Sequence, residues 1–92
     1  MTTLNITAEN TWTEAKLIDK EYFDLSIQGT FVATITIQRR RKDETVWRDV
    51  KTYTEADVPV EKISGRIRNA WYFRAGVKTG EYTSGTIELE LI

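Results

Sequence analysis

The sequence carries one run of consecutive cations, Arg39, Arg40, Arg41 and Lys42. Such groups form charge-assisted hydrogen bonds with carboxylates and phosphates, so the run could bind an acidic protein surface or a nucleic acid. Asp43 and Glu44 follow directly, and these residues equally suit the solvated tip of a hairpin, where alternation sends successive arginines to opposite faces. The solvated tip is the favoured interpretation, and docking on an acidic protein is the main alternative. Nucleic acid is disfavoured, because no aromatic residues are interleaved with the cations and the net charge is −1.

Aromatic side chains are the second group with binding potential, because exposed rings hold sugars and anchor protein interfaces. Trp71 and Phe73 are in phase with an apolar set and are predicted to lie in the core, and a packing role is favoured for Trp47. The other candidates for exposure are Trp12, Tyr22, Tyr53, Tyr72 and Tyr82. The predicted protein contacts are the four cations together with Trp12, Tyr72 and Tyr82.

Residues for catalysis or metal binding are scarce. The chain has no cysteine and no histidine, which removes thiolate nucleophiles, the usual zinc ligands and the commonest general base. The carboxylates fall mostly on polar faces and in turns, and DETVWRD lacks the ligand spacing and the glycine of a calcium loop. We find no glycine-rich phosphate loop and no nucleophile elbow. We therefore expect no enzyme, no cofactor and no metal site.

The size and charge of the chain limit the remaining classes of function. A chain of 92 residues supports one domain, residues 1–92, around one core. Thirteen basic and fourteen acidic residues almost cancel, so any attraction to a charged partner must be local. The sequence has no apolar run of membrane-spanning length and no signal-peptide pattern, so we expect a protein made and used without secretion or a membrane.

The elements that position these residues are predicted from side-chain period. Apolar residues recur every second position in four stretches, which indicates strands with one buried face. These apolar sets are Phe23, Leu25 and Ile27; Phe31, Ala33, Ile35 and Ile37; Trp71, Phe73, Ala75 and Val77; and Ile87, Leu89 and Leu91. Weaker strands are predicted in TLNITA, EAKLI, VWRDVKTY and DVPVEKI. A phase break in VWRDVKTY predicts a β-bulge near Arg48 and Asp49, and Pro59 predicts an edge strand or a strand start.

Turn residues separate these strands. Turns are predicted at Gln28–Gly29, in KDET, at Ser64–Gly65 and in TGEYTSG. The spacing of about 8 to 12 residues per strand and turn is typical of antiparallel sandwiches and barrels. We predict an all-β fold, a single antiparallel β-sandwich of about seven or eight strands with an Ig-like or jelly-roll-like layout. A short helix in AENTWTEAKLIDKEY is the disfavoured alternative, because Thr11, Trp12 and Thr13 favour extended structure.

Most of the chain resembles a known group of proteins. The stretch from about Tyr22 to Ile92, with GTFVATITIQR followed by TVWRDVKTYT and then by WYFRAGVKTGEYTSGTIELEL, resembles small virion proteins of tailed bacteriophages. The likeness is one of strand spacing and turn residues, and it carries over no catalytic residue. Residues 1–20 lie outside it and are interpreted as strand or as an arm that orders on a partner.

The resemblance implies a structural role in the virion. The expected protein decorates the capsid by docking on the major capsid protein or another virion protein, as a homo-oligomer with a trimer favoured, after synthesis in the host cytoplasm. Recognition is expected to use the hairpin Arg39 to Glu44, the loop Gly80 to Ser84 and the N-terminal segment. A head-fibre base, a tail or baseplate component, and a sugar-binding module that uses Trp12, Trp47, Tyr72 or Tyr82 are the alternatives.

Overall fold

The computed structural model describes residues 2–18, 24–63 and 71–91, which form eight strands with antiparallel pairing throughout. The strands are β1 (Thr2–Ile6), β2 (Thr11–Trp12), β3 (Lys16–Ile18), β4 (Asp24–Arg41), β5 (Arg48–Thr54), β6 (Val60–Ile63), β7 (Trp71–Val77) and β8 (Tyr82–Leu91). No helix occurs in these three ranges. The predicted all-β antiparallel class and the strand number are confirmed.

The long strand β4 belongs to two sheets. Its first half pairs with β8 and β6, and β8 also pairs with β1, which makes the first sheet β1–β8–β4–β6. Its second half pairs with β5 and β7, and β7 also pairs with β2 and β3, which makes the second sheet. Because one strand runs through both, the two layers form a nearly closed barrel-like sandwich.

The prediction of a turn at Gln28–Gly29 is wrong, because β4 continues through both residues. Gly29 has a φ of 111°, and a Cβ there would lie 2.4 Å from the carbonyl oxygen of Thr86. Gly85 on β8 has a φ of 93°, and a Cβ there would lie 2.2 Å from the carbonyl oxygen of Thr30. These glycines therefore permit close backbone approach inside paired strands, where the sequence pattern suggested a chain reversal.

Most of the other predicted strand boundaries hold. The KDET turn joins β4 to β5, with the amide of Glu44 donating to the carbonyl of Arg41 at 3.1 Å. The predicted bulge is confirmed next to Asp49, because Lys51 pairs with Ile37 and Asp49 pairs with Gln38, which leaves Val50 as the extra residue. Pro59 directly precedes β6, whose pairing in the described chain is with β4 alone, as its missing N–H favours. The last turn is shorter than predicted, because β8 begins at Tyr82.

The core consists of the inward residues of both sheets. It comprises Ile6, Ile18, Leu25, Ile27, Phe31, Ala33, Ile35, Ile37, Val60, Phe73, Ala75, Val77, Ile87, Leu89 and Leu91. The alternation in the four strong strands predicted these faces correctly, except that Trp71 is only partly buried against the core. Phe23 and the turn at Ser64–Gly65 lie outside the described residues.

The described part of the N-terminal segment is paired with the rest of the domain. β1 pairs with β8 along its whole length, and Ile6 is fully buried. β2 and β3 pair with β7, and Thr13 between them exchanges hydrogen bonds with the backbone of Ala75. The extended interpretation of Thr11 and Trp12 is therefore confirmed, and residues 8–18 do not form the alternative helix.

Candidate docking surface

The outer side of the second sheet brings together polar and aromatic residues from distant parts of the chain. Strand register places Arg40 opposite Tyr72, Gln38 opposite Arg74, and both Thr36 and Trp12 opposite Gly76. Trp47 joins them from the segment that leads into β5. We call this surface the arginine–aromatic face, formed by Trp12, Gln38, Arg40, Trp47, Tyr72 and Arg74.

Rings and guanidinium groups alternate across this face. The Cζ atom of Arg74 lies 4.2 Å from the ring centroid of Trp12 and 4.4 Å from that of Trp47. The Cζ atom of Arg40 lies 5.1 Å from the ring of Trp47 and 4.6 Å from that of Tyr72. All four distances are within the range of cation–π attraction. The order is therefore Trp12, Arg74, Trp47, Arg40, Tyr72, a stack of five side chains drawn from four segments.

A chain of hydrogen bonds connects Arg74 of this stack to Gln38, Asp49 and Lys78. Gln38 is 7% exposed, and its Nε2 donates to Oδ1 of Asp49 at 2.8 Å while its Oε1 accepts from Nε of Arg74 at 2.9 Å. Lys78 donates to the other carboxylate oxygen of Asp49. Hydrogen bonds from Lys78 and then from Gln38 lower the pKa of the Asp49 carboxyl. Burial, with the nearby charge of Arg40, lowers the pKa of Arg74, which still stays protonated at neutral pH.

The two stacked guanidinium groups form no ion pair with a carboxylate of the described residues. Arg40 donates to the backbone carbonyl of Glu44 at 2.8 Å, so its partner is neutral. Ion pairs in the described residues link Arg48 to Glu44 at 3.0 Å and Lys78 to Asp49. Within the described ranges no carboxylate lies at salt-bridge distance from the cations 39–42 or from Arg74. This end of the molecule is therefore a positive surface.

The predicted run of four cations divides between two sides of the sheet, as strand alternation requires. Arg40 faces outward into the stack. Arg39 and Arg41 lie against Trp71, with Cζ-to-centroid distances of 4.2 and 5.1 Å. Lys42 is exposed in the turn. The cluster is thus a hairpin end whose arginines are oriented by rings on both sides of the sheet.

The structure brings together only part of the predicted contact set. Trp12, Tyr72 and Arg40 share the arginine–aromatic face. Tyr82 lies elsewhere, partly buried against the core, and its hydroxyl donates to the carbonyl of Gly85 at 2.6 Å. The loop predicted at Gly80 to Ser84 is shorter than predicted, because β8 begins at Tyr82. In its remaining part, the amide of Gly80 donates to a carboxylate oxygen of Glu9 at 2.7 Å.

Sequence reasoning missed Arg74, Gln38 and the central place of Trp47. The premise that no aromatics are interleaved with the cations is true along the chain but wrong in space, because β2, β7 and the segment before β5 each supply a ring. The available signal was the outward phase of Arg74 beside Tyr72. It becomes informative only when the register of β7 against β4 is known.

The outer side of the first sheet has the opposite charge. There Asn5, Asp24, Ser26, Gln28, Glu61, Glu88, Leu89 and Glu90 line a groove of about 700 Å³, which we call the acidic groove. In the part of the chain that the structure describes, no three carboxylates are grouped so as to hold a metal ion. Those ranges also lack a helix long and apolar enough to cross a membrane.

Comparisons with protein-family models, curated proteins and solved structures find no match to this chain. The likeness to phage virion proteins therefore stays a prediction from the sequence.

Proposed function

We propose that this chain is a non-catalytic structural protein of a tailed-bacteriophage particle, a decoration protein that docks on an acidic surface of the capsid shell. The observation that carries the proposal is the stack on the arginine–aromatic face, in which Arg40 and Arg74 are held between rings with no carboxylate partner in the described residues. The virion setting comes from the resemblance of residues 22–92.

The stack suits protein docking because its cations are already oriented. Arginine loses considerable side-chain entropy when it is fixed in an interface, and groups that are fixed beforehand avoid that loss. Here Arg74 is fixed by Trp12, Trp47 and Gln38. Arginine, tryptophan and tyrosine are also the residues that dominate interface energies. A carboxylate-bearing partner would therefore find forked donors already in place.

The same geometry argues against the other ligand classes. A sugar stacks on a free ring face, but guanidinium groups lie over Trp12 and Trp47. An extended polyanion such as nucleic acid would meet the carboxylates of the acidic groove on the other sheet. A compact acidic protein surface meets neither obstacle. On a symmetric shell, many such weak contacts would add up through effective concentration.

Co-sedimentation with expanded empty capsids tests this proposal. We expect binding at about 50 mM salt and strong loss at about 500 mM salt, because screening shortens the reach of exposed charges. The double variant Arg40→Ser, Arg41→Ser should lose binding. The control Arg48→Ser, Lys51→Ser removes the same charge from the exposed strand β5 and should bind like the parent chain.

Two results would overturn the proposal. One is equal capsid occupancy by both double variants. The other is the absence of any salt-sensitive binding to capsids. If glycans instead changed tryptophan fluorescence without a dependence on salt, the sugar-binding alternative would replace the capsid proposal, since three aromatic side chains do share this face.

A further inference from the structure

The described residues that line the acidic groove include four carboxylates and no cation. Register places Glu88 between Asn5 and Gln28, and Glu90 opposite Ser26, whose other neighbour is Glu61. These neighbours are polar but uncharged, except for the acids themselves. No ion pair of the described residues includes any of the four carboxylates Asp24, Glu61, Glu88 and Glu90. The described lining of the groove is therefore negatively charged.

Charge is separated along one strand. Asp24 begins β4 and the arginines 39–41 end this strand of 18 residues, so the acidic groove and the cationic hairpin end lie in different sheets. The net charge of −1 is therefore compatible with two local regions of opposite charge. Because the two charged surfaces occupy opposite ends of β4, their attraction is available to a second molecule.

We propose that the acidic groove of one copy receives the cationic hairpin end, residues 39–47, of a second copy. This contact goes beyond the proposed function and uses the same hairpin end, so a hairpin end that is seated in a groove is not free to dock on a capsid. Charge complementarity points to this occupant, since the described lining of the groove has four carboxylates and no cation, whereas the hairpin end carries four consecutive cations. A spread of four carboxylates also suits several separate guanidinium and ammonium groups better than one metal ion.

Such a contact is heterologous, because the two surfaces differ. A heterologous contact produces a ring when its rotation closes and a filament when it does not. Until it closes, an open chain of copies keeps one free groove at one end and one free hairpin end at the other. The predicted homo-oligomer would thus be a head-to-tail assembly, in which every copy uses both sheets.

Complementation between two defective variants tests this contact. One variant alters the hairpin end by Arg41→Glu and Lys42→Glu, and we call it the end variant. The groove variant carries Glu88→Gln and Glu90→Gln. Both change exposed side chains only, so both should fold. In sedimentation velocity at about 50 mM salt, we expect the parent chain to grow in mass with concentration. Each variant alone should associate at least roughly tenfold more weakly, since two ion pairs are lost.

An equimolar mixture of the two variants should give a one-to-one dimer that grows no further, because it has one intact groove and one intact hairpin end. Three results would overturn the inference: a parent chain that stays monomeric up to about 1 mM, a groove variant that assembles like the parent, or a mixture without dimers. The capsid assay separates this inference from the proposed function, because the groove variant should still bind empty capsids when it no longer binds itself.

Discussion

The two halves of β4 carry similar polar residues on their outer side, but these residues are at least partly open to solvent in the first half and buried in the second. In the first sheet Ser26 is half-buried and Gln28 is exposed. In the second sheet Thr36 is 1% exposed and Gln38 is 7% exposed. The side chains alternate between the two faces of the strand in the same way in both halves, so the difference in burial comes from the segments that cover the outer side.

In the second sheet the outer side has a cover of its own. Trp12 lies against Gly76. Arg74 donates a hydrogen bond to Gln38 and contacts the ring of Trp47. In the first sheet the outer side is an open groove lined with carboxylates. Alternation thus decides which residues face outward, whereas the neighbouring segments decide whether those residues meet solvent, a ring or a cation.

The largest effect is expected when the contact between Trp12 and β7 is blocked. In Gly76→Ala the new Cβ would lie 2.2 Å from the carbonyl oxygen of Thr11 and 2.8 Å from Cα of Trp12, and backbone atoms cannot yield as a flexible side chain does. We expect unfolding in urea to show a loss of about 3 kcal/mol. Ser84→Thr also adds a methyl group, but at an exposed site in the first sheet, and should change stability by less than about 0.5 kcal/mol. Equal effects would mean that Trp12 does not cover β7.

Removal of the central ring should have the next largest effect. Trp47→Ala deletes the ring between Arg40 and Arg74, so we expect a loss of about 2 kcal/mol from two cation–π contacts and lost packing. Gln28→Ala, at an exposed outward site of the first sheet, should be almost neutral. Thermal unfolding of the two variants measures the difference. A neutral Trp47→Ala variant would contradict the stacked arrangement.

The covered threonine offers a test with the opposite sign. The hydroxyl oxygen of Thr36 is buried and has no hydrogen-bond partner among the residues that the structure describes. Thr36→Val keeps the shape and removes the buried polar atom, so we expect a gain of about 1 kcal/mol in urea unfolding. Thr30→Val makes the same change at an exposed outward position of β4 and should give no gain. Destabilisation by Thr36→Val would show that the hydroxyl is solvated or bonded.

The smallest expected effect concerns Asp49 at the rim of the covered side. Hydrogen bonds from Lys78 and Gln38 lower its folded-state pKa below the ordinary value of 3.8. Its contribution is therefore fully present above that value and is lost as the pH falls through the folded-state pKa. Because the pair is exposed to solvent, we expect less than about 1 kcal/mol.

A pH series of thermal unfolding from pH 7 to strongly acid conditions tests this contribution. The stability difference between the parent chain and Asp49→Asn should shrink on acidification. In a Lys78→Met background the same substitution should have a smaller effect at neutral pH, since the main cause of the shift is gone. A stability difference that does not change with pH would mean that the Lys78–Asp49 ion pair does not stabilise the folded protein.

Some features could not be predicted because their signals depend on distant partners. A glycine between two apolar runs ordinarily marks a turn, but Gly29 is explained by the backbone of Thr86 on β8, far along the chain. In the sequence Arg74 is an ordinary outward residue of a strand. Only the register of β7 against β4 places it beside Gln38, and only the fold places it between two tryptophans. The bulge near Asp49 was predictable because a phase break is visible within a single strand.

The sequence by itself determined most of the strands, their inward faces and the hairpin that carries the cations. Those properties follow from a period of two and from local turn residues, which act over a few positions. Only the tertiary structure decided that β4 serves two sheets, that one outer side is covered and the other is an acidic groove, and that Trp12, Trp47 and Tyr72 meet Arg40 and Arg74. Those properties depend on which strands pair and in which register, and strand register is settled by burial across the whole domain.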